Sequence, residues 1–435
     1  MKKLIKDIVI REDLYPRDKI NNSKVEEYST IITLLPKIII NQDNILIDGA
    51  HRLHANKLAN QKEIECEIIK TTDDDDLFLK AVELNAKHGY QMTQSEKKKS
   101  VIKFYEKIMK GKSKSFDVKR LKETFSIPDS TFSEWTKKMN EEVESLQLQK
   151  ILNLHLQCKT QEEIAKEIGF KDHTPVNTKL KEIIQKTNEL WQNPDSEIDT
   201  KYTFLQEKIK ELCLFKPIYY NHHFINILDD DNIHFGKFPE YYLENLLYYY
   251  TKEFDVVFDP FAGGGTTIDC CKKWMRKYYC SDMNPIETRS DINKWNINNG
   301  LPKDIPSKID FVFLDPPYWR QAENKYSKDK EDFGNMDINT FYKSIEKLVK
   351  ELKKKMKSGY VAFVISPTQW KNENYKFEDH IIEVINIFVK NGFTEEMRYV
   401  FPYSTEQYNG TQVNIAKEKK FPLCTIRDLV VFKKI

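Results

Sequence analysis

After about residue 215, short and almost wholly apolar runs alternate with amphipathic stretches along the chain. The runs are DVVFD (255–259), YYCSD (278–282), DFVFLD (310–315), YVAFVIS (360–366) and DLVVFKK (428–434). Apolar runs of this length fit strands that are buried on both faces, and the intervening stretches fit helices. The pattern therefore predicts an α/β fold built on a parallel-type sheet.

The first 90 residues show a different pattern of short strand-like runs and few helices. The runs are DIVI (7–10), PKIII (36–40), NILID (44–48) and IECEIIK (64–70). One helix is expected after Asp48, and the acidic run at 73–76 is expected to begin a second one. Residues 1–90 are thus predicted to form a small α+β domain.

From 91 to 200 apolar residues recur at helical spacing among many lysines and glutamates, as in KSVIKFYEKIMK (99–110). This region is predicted to be helical, and the Pro-, Asp- and Ser-containing stretch 191–200 is the best linker. Three domains follow from these patterns: 1–90, 91–200 and 201–435.

Composition narrows the class of protein without identifying a partner. The chain has 435 residues, of which 40% are apolar and 31% charged, and a net charge of +2. A nucleic-acid partner must therefore be argued from local patches. The seven cysteines form no CxxC pair, so neither a metal site nor a disulfide framework is expected. This suits a reducing compartment and predicts cytoplasmic localisation. No signal peptide or membrane-spanning run is expected.

A glycine-rich turn follows the first apolar run, in DPFAGGGTT (259–267). Gly263 to Gly265 allow positive φ and close approach of a ligand, and Thr266 and Thr267 could cap the next helix. The alternative is a tight connection without a ligand. Asp282 ends the second run, where a carboxylate can accept hydrogen bonds from ribose hydroxyls.

The turn lacks the spaced glycines of a dinucleotide site and the lysine of a phosphate-binding loop. An adenosine without a phosphate chain is therefore the predicted ligand, and S-adenosylmethionine fits this description. A surface aspartate at a strand end remains the alternative for Asp282.

The third run ends in Asp315-Pro316-Pro317-Tyr318, where two prolines terminate the strand in a rigid corner. Asp315 and the carbonyl of Pro316 could accept the two N–H bonds of an exocyclic amine on a nucleobase. Tyr318 could stack on a base that has been flipped out of the duplex.

With these motifs, residues 220–435 resemble the amino-methyltransferases of DNA, which modify adenine N6 or cytosine N4. DPPYW matches their catalytic tetrapeptide, and the stretch 236–251 resembles the segment that covers the methionine end of the cofactor. The resemblance implies catalytic roles for Asp315, Pro316, Pro317 and Tyr318. The cofactor-binding residues that it implies are Phe238, Pro239, Asp259, Pro260, Phe261, Gly263, Gly265, Thr266 and Asp282. The implied fold is a Rossmann-like methyltransferase sheet with S-adenosylmethionine as cofactor.

The choice of base stays open between two exocyclic amines. No cysteine follows a proline, which argues against cytosine C5 chemistry. Within the family that the chain resembles, Asp rather than Ser at the first position of the tetrapeptide implies adenine N6, with cytosine N4 as the alternative. The acidic residue that usually binds the adenine of the cofactor is not evident, and Asp291 is a candidate. The polar stretches 320–337 and 401–420 are candidates for contacts with DNA, or ordinary solvated loops.

DGAHRLHA (48–55) resembles a box of the ParB-like N-terminal fold, in which a turn and a helix N-terminus bind a nucleotide phosphate. The alternatives here are a nucleotide site and a scaffold that has lost it. In the middle region, 116–139 and 160–183 resemble helix-turn-helix motifs, with plain helical hairpins as the alternative.

Eleven Lys or Arg and two acids lie between Lys97 and Lys122, which favours contact with the phosphates of double-stranded DNA. The sequence therefore predicts a DNA amino-methyltransferase with a ParB-like domain and a helical DNA-binding region. The alternatives are a DNA-binding regulator with an inactive methyltransferase fold and an enzyme that methylates RNA or protein.

Overall fold

The computed structural model describes residues 1–14, 20–87, 93–109, 117–218, 238–320, 323–324, 326–369, 377–402 and 410–434. The chain forms two compact units, Met1–Glu144 and Ser145–Ile435. The helical region predicted over 91–200 is therefore divided between the two units. The functional division into three domains stays a prediction.

The first unit has a mixed sheet with the strand order β1-β4-β2-β3. Its described strands are β1 (Lys2–Leu4), β2 (Ile38–Ile40), β3 (Leu46–Asp48) and β4 (Glu63–Ile68). Its described helices are α1 (Asn22–Ser29), α2 (Ala50–Leu58), α3 (Asp74–Lys87), α4 (Gln94–Met109), α5 (Val118–Phe125) and the first part of α6 (Asp129–Leu156). Three of the predicted strand-like runs coincide with β2, β3 and β4. The DIVI prediction was wrong, because there Val9 makes only an isolated bridge with Ile45.

The second unit begins within α6 and continues with further helices before its sheet. Its described helices are α7 (Gln161–Ile168), α8 (Thr174–Gln192), α9 (Thr203–Cys213), α10 (Glu240–Tyr250), α11 (Thr266–Lys273), α12 (Ile338–Lys355), α13 (His380–Lys390) and α14 (Gly410–Lys419). Its described strands are β5 (Val256–Asp259), β6 (Lys277–Asp282), β7 (Asn293–Lys294), β8 (Phe311–Leu314), β9 (Gly359–Ile365), β10 (Thr394–Pro402) and β11 (Ile426–Lys434).

The described strands of this unit form one sheet in the order β10-β11-β9-β8-β5-β6-β7. Neighbouring strands from β9 to β7 are parallel, whereas β11 is antiparallel to both β9 and β10. The predicted α/β class is confirmed, and the antiparallel edge is an addition that the sequence did not indicate. The chain runs outward from β5 to β7 and returns to β8, so the strand order reverses between β5 and β8. Ligands of such sheets bind beside the carboxyl ends of the strands at this reversal.

Alternate residues of the buried strands face two different hydrophobic cores. On β9, for example, Ala362 and Val364 face one core, and Val361, Phe363 and Ile365 face the other. Helices α12 and α13 supply the second core, and helices from the end of α6 to α11 supply the first. The sheet is thus the middle layer of three, which explains why its central strands are wholly apolar.

Helices α7, α8 and α9 belong to the same core as the sheet. Ile164, Leu180 and Leu205 are buried in the cluster that also contains Val257 and Phe311. The second helix-turn-helix candidate is therefore part of the unit that contains the sheet. Among the described residues, no helix has the length and apolar character needed to cross a bilayer.

Candidate functional site

A cavity of about 640 Å³ lies at the carboxyl ends of β5, β6 and β8, within the second unit. This is the volume range of sites that hold cofactors and other small molecules. Its position at the reversal of strand order is the one expected for a ligand site in an open α/β sheet. The segments after all three strands line it: the glycine-rich turn, the segment beginning at Asp282 and the corner at Asp315.

The glycine-rich turn after β5 adopts backbone conformations that favour glycine at two positions. Gly263 has φ of +49° and Gly265 has φ of +89°. A Cβ on Gly265 would lie 2.6 Å from Cζ of Arg289, so a side chain there would collide as well as strain the backbone. The turn therefore leads directly from the end of β5 to the N-terminus of α11 with its backbone facing the cavity.

The predicted capping role of Thr266 and Thr267 was wrong. The residue that precedes α11 is Gly265, and no side chain caps this helix. Thr267 instead donates a hydrogen bond of 2.5 Å from its hydroxyl to Asp259 Oδ2, and the backbone N–H of Phe261 donates to Oδ1 at 2.8 Å. These bonds fix the start of the turn, while burial raises the pKa of Asp259 to about 7.

Asp282, the last residue of β6, ties the two neighbouring segments together. Its Oδ2 accepts a hydrogen bond of 2.9 Å from the N–H of Gly263, and its Oδ1 accepts one of 2.8 Å from the N–H of Asn284. The carboxylate also lines the cavity, and each oxygen has a second lone pair. Asp282 can thus hold the turn in shape and still accept hydrogen bonds from a ligand.

The corner at Asp315 follows β8, the neighbour of β5 in the sheet, and lines the same cavity. Asp315 is half-buried, and Pro316 and Tyr318 are buried. The hydroxyl of Tyr318 donates a hydrogen bond of 2.9 Å to Asp315 Oδ1. Burial raises the pKa of Asp315 to about 6, while Arg427 and the Tyr318 hydroxyl oppose this rise. The carboxylate is therefore largely ionised at neutral pH.

This hydrogen bond changes the expectation for Tyr318, whose hydroxyl had no role in the sequence-based interpretation. Tyr318→Phe is expected to raise the pKa of Asp315, because the donated bond favours the ionised carboxylate. Activity that needs this carboxylate rises as pH passes through its pKa, so the acid limb of the rate profile should move to higher pH. Rates of Tyr318→Phe and wild type, measured from about pH 5 to about pH 9, test this.

At a pH well above the pKa of Asp315 in both the wild type and the variant, the rate of Tyr318→Phe should be within about threefold of the wild-type rate, because the ring is retained. Tyr318→Ala removes the ring and is expected to be impaired at every pH. An unchanged acid limb in Tyr318→Phe would show that the hydroxyl does not act on Asp315.

The two residues that follow the corner, Trp319 and Arg320, are anchored to two other segments. Trp319 Nε1 donates to the carbonyl of Met336 at 2.9 Å, and Thr368 Oγ1 donates to the carbonyl of Trp319 at 2.9 Å. The N–H of Arg320 donates to the carbonyl of Gly334 at 3.1 Å. The corner is consequently held from both sides, by the end of β8 and by these bonds.

The structure brings nearly all of the predicted site residues to this one cavity. The exceptions are Pro239, which precedes α10, and Gly265, which faces Arg289. Those that line it are Phe238, Asp259, Pro260, Phe261, Gly263, Thr266, Asp282, Asp315, Pro316, Pro317 and Tyr318. Their roles in binding or catalysis stay predictions.

Asp291, the candidate for binding the adenine of a cofactor, does not line the cavity. Its carboxylate pairs with Lys272 at 2.8 Å and with Arg289 at 2.9 Å. The residues that follow β7 line the cavity instead, among them Asn296, Ile297 and Asn298. The cluster of asparagines in the sequence was the only signal for this segment.

Other residues that line the cavity were not assigned to it from the sequence, although four of them lie in the polar stretch 320–337. They are Arg289, Trp295, Tyr326, Glu331, Asp332, Phe333 and Arg427. Arg289 bonds to Asp269 with both terminal nitrogens, at 2.9 and 3.0 Å, and approaches the carbonyls of Gly264 and Gly265. It thus connects the segment after β6 to the glycine-rich turn.

Carboxylates dominate the charge of the cavity among its described lining residues. The acids are Glu240, Asp259, Asp269, Asp282, Asp315, Glu331 and Asp332, and the basic residues are Arg289 and Arg427. The neighbouring carboxylates Asp282 and Asp315 add to the rise in the pKa of Asp259. A cavity of this charge favours a cationic ligand and disfavours a phosphorylated one.

In the first unit, the ParB-like box has the predicted strand, turn and helix. Gly49 has φ of +107° and precedes α2. His51 Nε2 accepts a hydrogen bond from the N–H of Asn21 at 3.0 Å, and Arg52 bonds to Asp48 at 2.5 Å. Arg52 also donates to the carbonyls of Pro36 and Lys37. Both side chains at the start of this helix therefore contribute to the fold of the unit itself.

The basic stretch from Lys97 to Lys122 also makes many contacts within the first unit. The contacts are Lys107 with Asp75, Arg120 with Glu83, Lys122 with Asp129, and Lys97 and Lys103 with the carbonyls of Phe125 and Asp13. Residues 110, 112 and 114 lie outside the described residues. Several of the lysines and arginines in the described part of this stretch are therefore already bonded within the unit, and fewer of them face solvent than the count of charges suggests.

Both helix-turn-helix candidates are pairs of helices joined by a left-handed residue. In the first pair, Ser126 between α5 and α6 has φ of +51°, and in the second, Gly169 between α7 and α8 has φ of +89°. Thr160 and Glu163 form a reciprocal capping box at the start of α7. Lys171, Thr174 and Thr178 are exposed around the N-terminus of α8. Their use in reading DNA stays a prediction.

Comparison with solved structures gives partial similarities of low identity. A methyltransferase from Archaeoglobus fulgidus described as S-adenosylmethionine-dependent is 16% identical over 45% of this chain and 95% of its own, with a TM-score of 0.29. TrmN from Thermus thermophilus is 13% identical over 45% of this chain and 49% of its own, with a TM-score of 0.27. The chromosome-partitioning protein ParB from Caulobacter crescentus, bound to its centromeric site, is 16% identical over 31% of this chain and 69% of its own, with a TM-score of 0.24.

No curated protein matches the chain. The family of DNA methylases that modify N6 or N4 matches it over residues 17–290. This stretch is more than half of the 435 residues and includes the glycine-rich turn and Asp282. The chain therefore belongs to the DNA methylase family.

Proposed function

We propose that the protein transfers a methyl group from S-adenosylmethionine to the exocyclic amine of a flipped base in duplex DNA. The observation that most supports this is the convergence of the glycine-rich turn, Asp282 and the corner at Asp315 on one cavity. The turn and Asp282 provide a nucleoside site, and the corner places a carboxylate where a second substrate can reach it. Membership of the DNA methylase family makes DNA the expected substrate.

The charge of the cavity fits S-adenosylmethionine better than other adenosine ligands. Bound there, S-adenosylmethionine would supply a methyl group on a positively charged sulfonium. The acidic lining would attract this charge, whereas a dinucleotide would bring phosphates to the same carboxylates. Asp282 and Phe238 both line the cavity, which supports a role for Asp282 in accepting ribose hydroxyls and for Phe238 beside the methionine end.

Asp315 acts in this proposal as a hydrogen-bond acceptor for the target amine. The lone pair of such an amine is delocalised into the base, so the nitrogen is a weak nucleophile. Bonds donated to Asp315 and to the carbonyl of Pro316 favour a tetrahedral nitrogen and stabilise the positive charge that develops on it. The prolines and the bonds to Trp319 and Arg320 hold both acceptors still.

The substrate class can be tested by offering three acceptors to the enzyme with tritiated S-adenosylmethionine: unmethylated duplex DNA, RNA and protein. Label is expected in the duplex DNA and, at most, weakly in the other two. Transfer chiefly to RNA or protein would replace DNA as the substrate. The absence of transfer to any acceptor, with the protein folded, would favour a DNA-binding protein with an inactive methyltransferase fold.

We expect N6-methyladenine as the product, from the aspartate at the first position of the tetrapeptide. Both candidate bases present an exocyclic amine, so the bonds to Asp315 are the same for either one. Methylated DNA can be probed on a blot with antibodies specific for N6-methyladenine and for N4-methylcytosine. A signal with the second antibody alone would reverse the choice of base without altering the proposed role of Asp315.

Double-stranded DNA is the proposed partner of α7 and α8, because these helices share a core with the catalytic sheet. The exposed residues at the start of α8 would then be the ones that contact DNA. For the ParB-like box, the bonds made by Arg52 within the unit support the scaffold interpretation over nucleotide binding. The polar stretches at 320–337 and 401–420 lie partly outside the described residues.

A further inference from the structure

We propose that Arg427 is a positioning residue that keeps the Asp315 carboxylate in its ionised, hydrogen-bond-accepting form. It acts on the target amine through Asp315 and does not hold the cofactor. This inference rests on the proposed function, because it assigns a role within the same site. Arg427 belongs to none of the sequence motifs and comes 112 residues after Asp315.

The register of the sheet places Arg427 beside the corner. Leu314 on β8 is paired with Phe363 on β9, which is paired in turn with Val430 on β11. Because β11 runs antiparallel to β8 and β9, residues before Val430 are level with residues after Leu314. Arg427 is therefore level with the proline corner, and both Arg427 and Asp315 line the cavity.

Two aromatic rings fix the position of the Arg427 side chain. Its guanidinium carbon lies 4.7 Å from the ring centre of Phe401 and 5.8 Å from that of Phe238. Phe401 is the direct neighbour of Arg427 across the β10–β11 ladder. Arg427 is only 7% exposed, and a guanidinium remains charged even in such a place. The cavity thus has a fixed positive charge on the side of β11.

The groups that act on Asp315 come from three directions. Burial raises its pKa; Arg427, from β11, and the Tyr318 hydroxyl, from the corner itself, lower it. Asp315 in turn helps to raise the pKa of Asp259, at the end of the neighbouring strand β5. The other charged lining residues are Glu240, Asp269, Asp282, Arg289, Glu331 and Asp332. Among the described lining residues the arginines are Arg289, which bonds to Asp269 and Asp291, and Arg427, which acts on Asp315.

A different role for Arg427 would be to bind the carboxylate of the methionine moiety of the cofactor. The two roles predict opposite effects on cofactor affinity. If Arg427 bound that carboxylate, its removal would weaken S-adenosylmethionine binding. If Arg427 only stabilises the ionised form of Asp315, its removal takes a positive charge from an acidic cavity. The variant should then bind a cationic cofactor as tightly as wild type does, or more tightly.

The experiment compares wild type with Arg427→Met, Arg427→Gln and Arg427→Lys in the full-length protein. Methyl transfer to DNA is measured from about pH 5 to about pH 9, and S-adenosylmethionine affinity by calorimetry at about pH 8. Lys433→Met is the matched control, because Lys433 lies on the same strand with its ammonium 5.6 Å from the ring of Tyr360, away from the cavity.

The neutral variants are expected to lose about tenfold or more of the wild-type rate near pH 6 and much less near pH 8.5, because the pKa of Asp315 rises. Arg427→Lys and Lys433→Met should keep the wild-type profile. Cofactor affinity should not fall in any of them. Calorimetry also shows that each variant is folded, and Arg427→Gln substitutes for Arg427→Met if the latter does not fold.

Two results would overturn the inference while leaving the proposed function in place. One is an acid limb that does not move in the neutral variants although wild type methylates DNA. The other is a loss of about tenfold or more in cofactor affinity, which would assign Arg427 to the methionine carboxylate. If wild type itself transfers no methyl group to DNA, the proposed function fails first.

Discussion

Replacing Asp315 with alanine is expected to lower kcat for methyl transfer by about a hundredfold or more, with cofactor affinity within about threefold of wild type. The amine of the target base gains positive charge only as the reaction proceeds, so the bonds to Asp315 strengthen in the transition state. The same burial that raises the pKa of Asp315 strengthens these bonds, because it reduces screening by solvent.

Asp315→Asn is the matched variant, because it keeps the shape of the side chain and one oxygen acceptor while removing the charge. Its rate should lie between those of wild type and alanine. Single-turnover methyl transfer gives the chemical step, and calorimetry gives cofactor affinity. An Asp315→Ala enzyme with near wild-type turnover would remove the corner from the mechanism.

The second large effect is expected at Asp282, on binding instead of on the chemical step. Asp282→Ala should weaken S-adenosylmethionine binding by about tenfold or more, since hydrogen bonds to a charged group contribute about 1.5–3 kcal/mol each. The loss has two sources. Ribose hydroxyls lose their acceptor, and the N–H groups of Gly263 and Asn284 lose the carboxylate that shapes the turn.

Calorimetry decides this prediction, with Asp304→Ala as the control. Asp304 accepts a hydrogen bond of 2.6 Å from Tyr279, which lies on β6 as Asp282 does. Asp304 does not line the cavity. The control should bind the cofactor as wild type does. If Asp282→Ala did so too, Asp282 would be an ordinary acidic residue at a strand end.

The sequence was informative wherever the local pattern determines structure. Apolar runs predicted the central strands because these are buried on both faces, and Pro316-Pro317 predicted the end of β8 because proline cannot continue a strand. The glycines of the turn were likewise recognisable, since positive φ at Gly263 and Gly265 restricts the residue type. Most of the candidate site follows from these local signals.

What the sequence could not show depends on contacts between distant segments. The hydroxyl of Thr267 could either cap α11 or bond to Asp259, and only the folded geometry of the turn determines that it bonds to Asp259. Strand β10 was missed because its first five residues, TEEMR, are mostly polar, as suits an edge strand. Arg427 reaches the cavity only because β11 enters the sheet antiparallel beside β9.

The positive stretch before Lys122 illustrates the same limit for charge. Counting residues suggested a surface for phosphates, yet Lys107, Arg120 and Lys122 pair with acids that the sequence places elsewhere. A count of charges cannot distinguish a cation that faces solvent from one that is bonded within its own unit. Contacts with DNA are therefore better sought at the exposed start of α8.

The most direct test of the proposed chemistry is to incubate the protein with unmethylated duplex DNA and S-adenosylmethionine carrying a deuterated methyl group. The DNA is then digested to nucleosides, which are identified by mass spectrometry, with Asp315→Ala treated in parallel. We expect the intact labelled methyl group on the exocyclic nitrogen of adenine, and only a trace of it with Asp315→Ala. Label on carbon 5 of cytosine, or equal labelling by wild type and Asp315→Ala, would contradict amine methylation at the Asp315 corner.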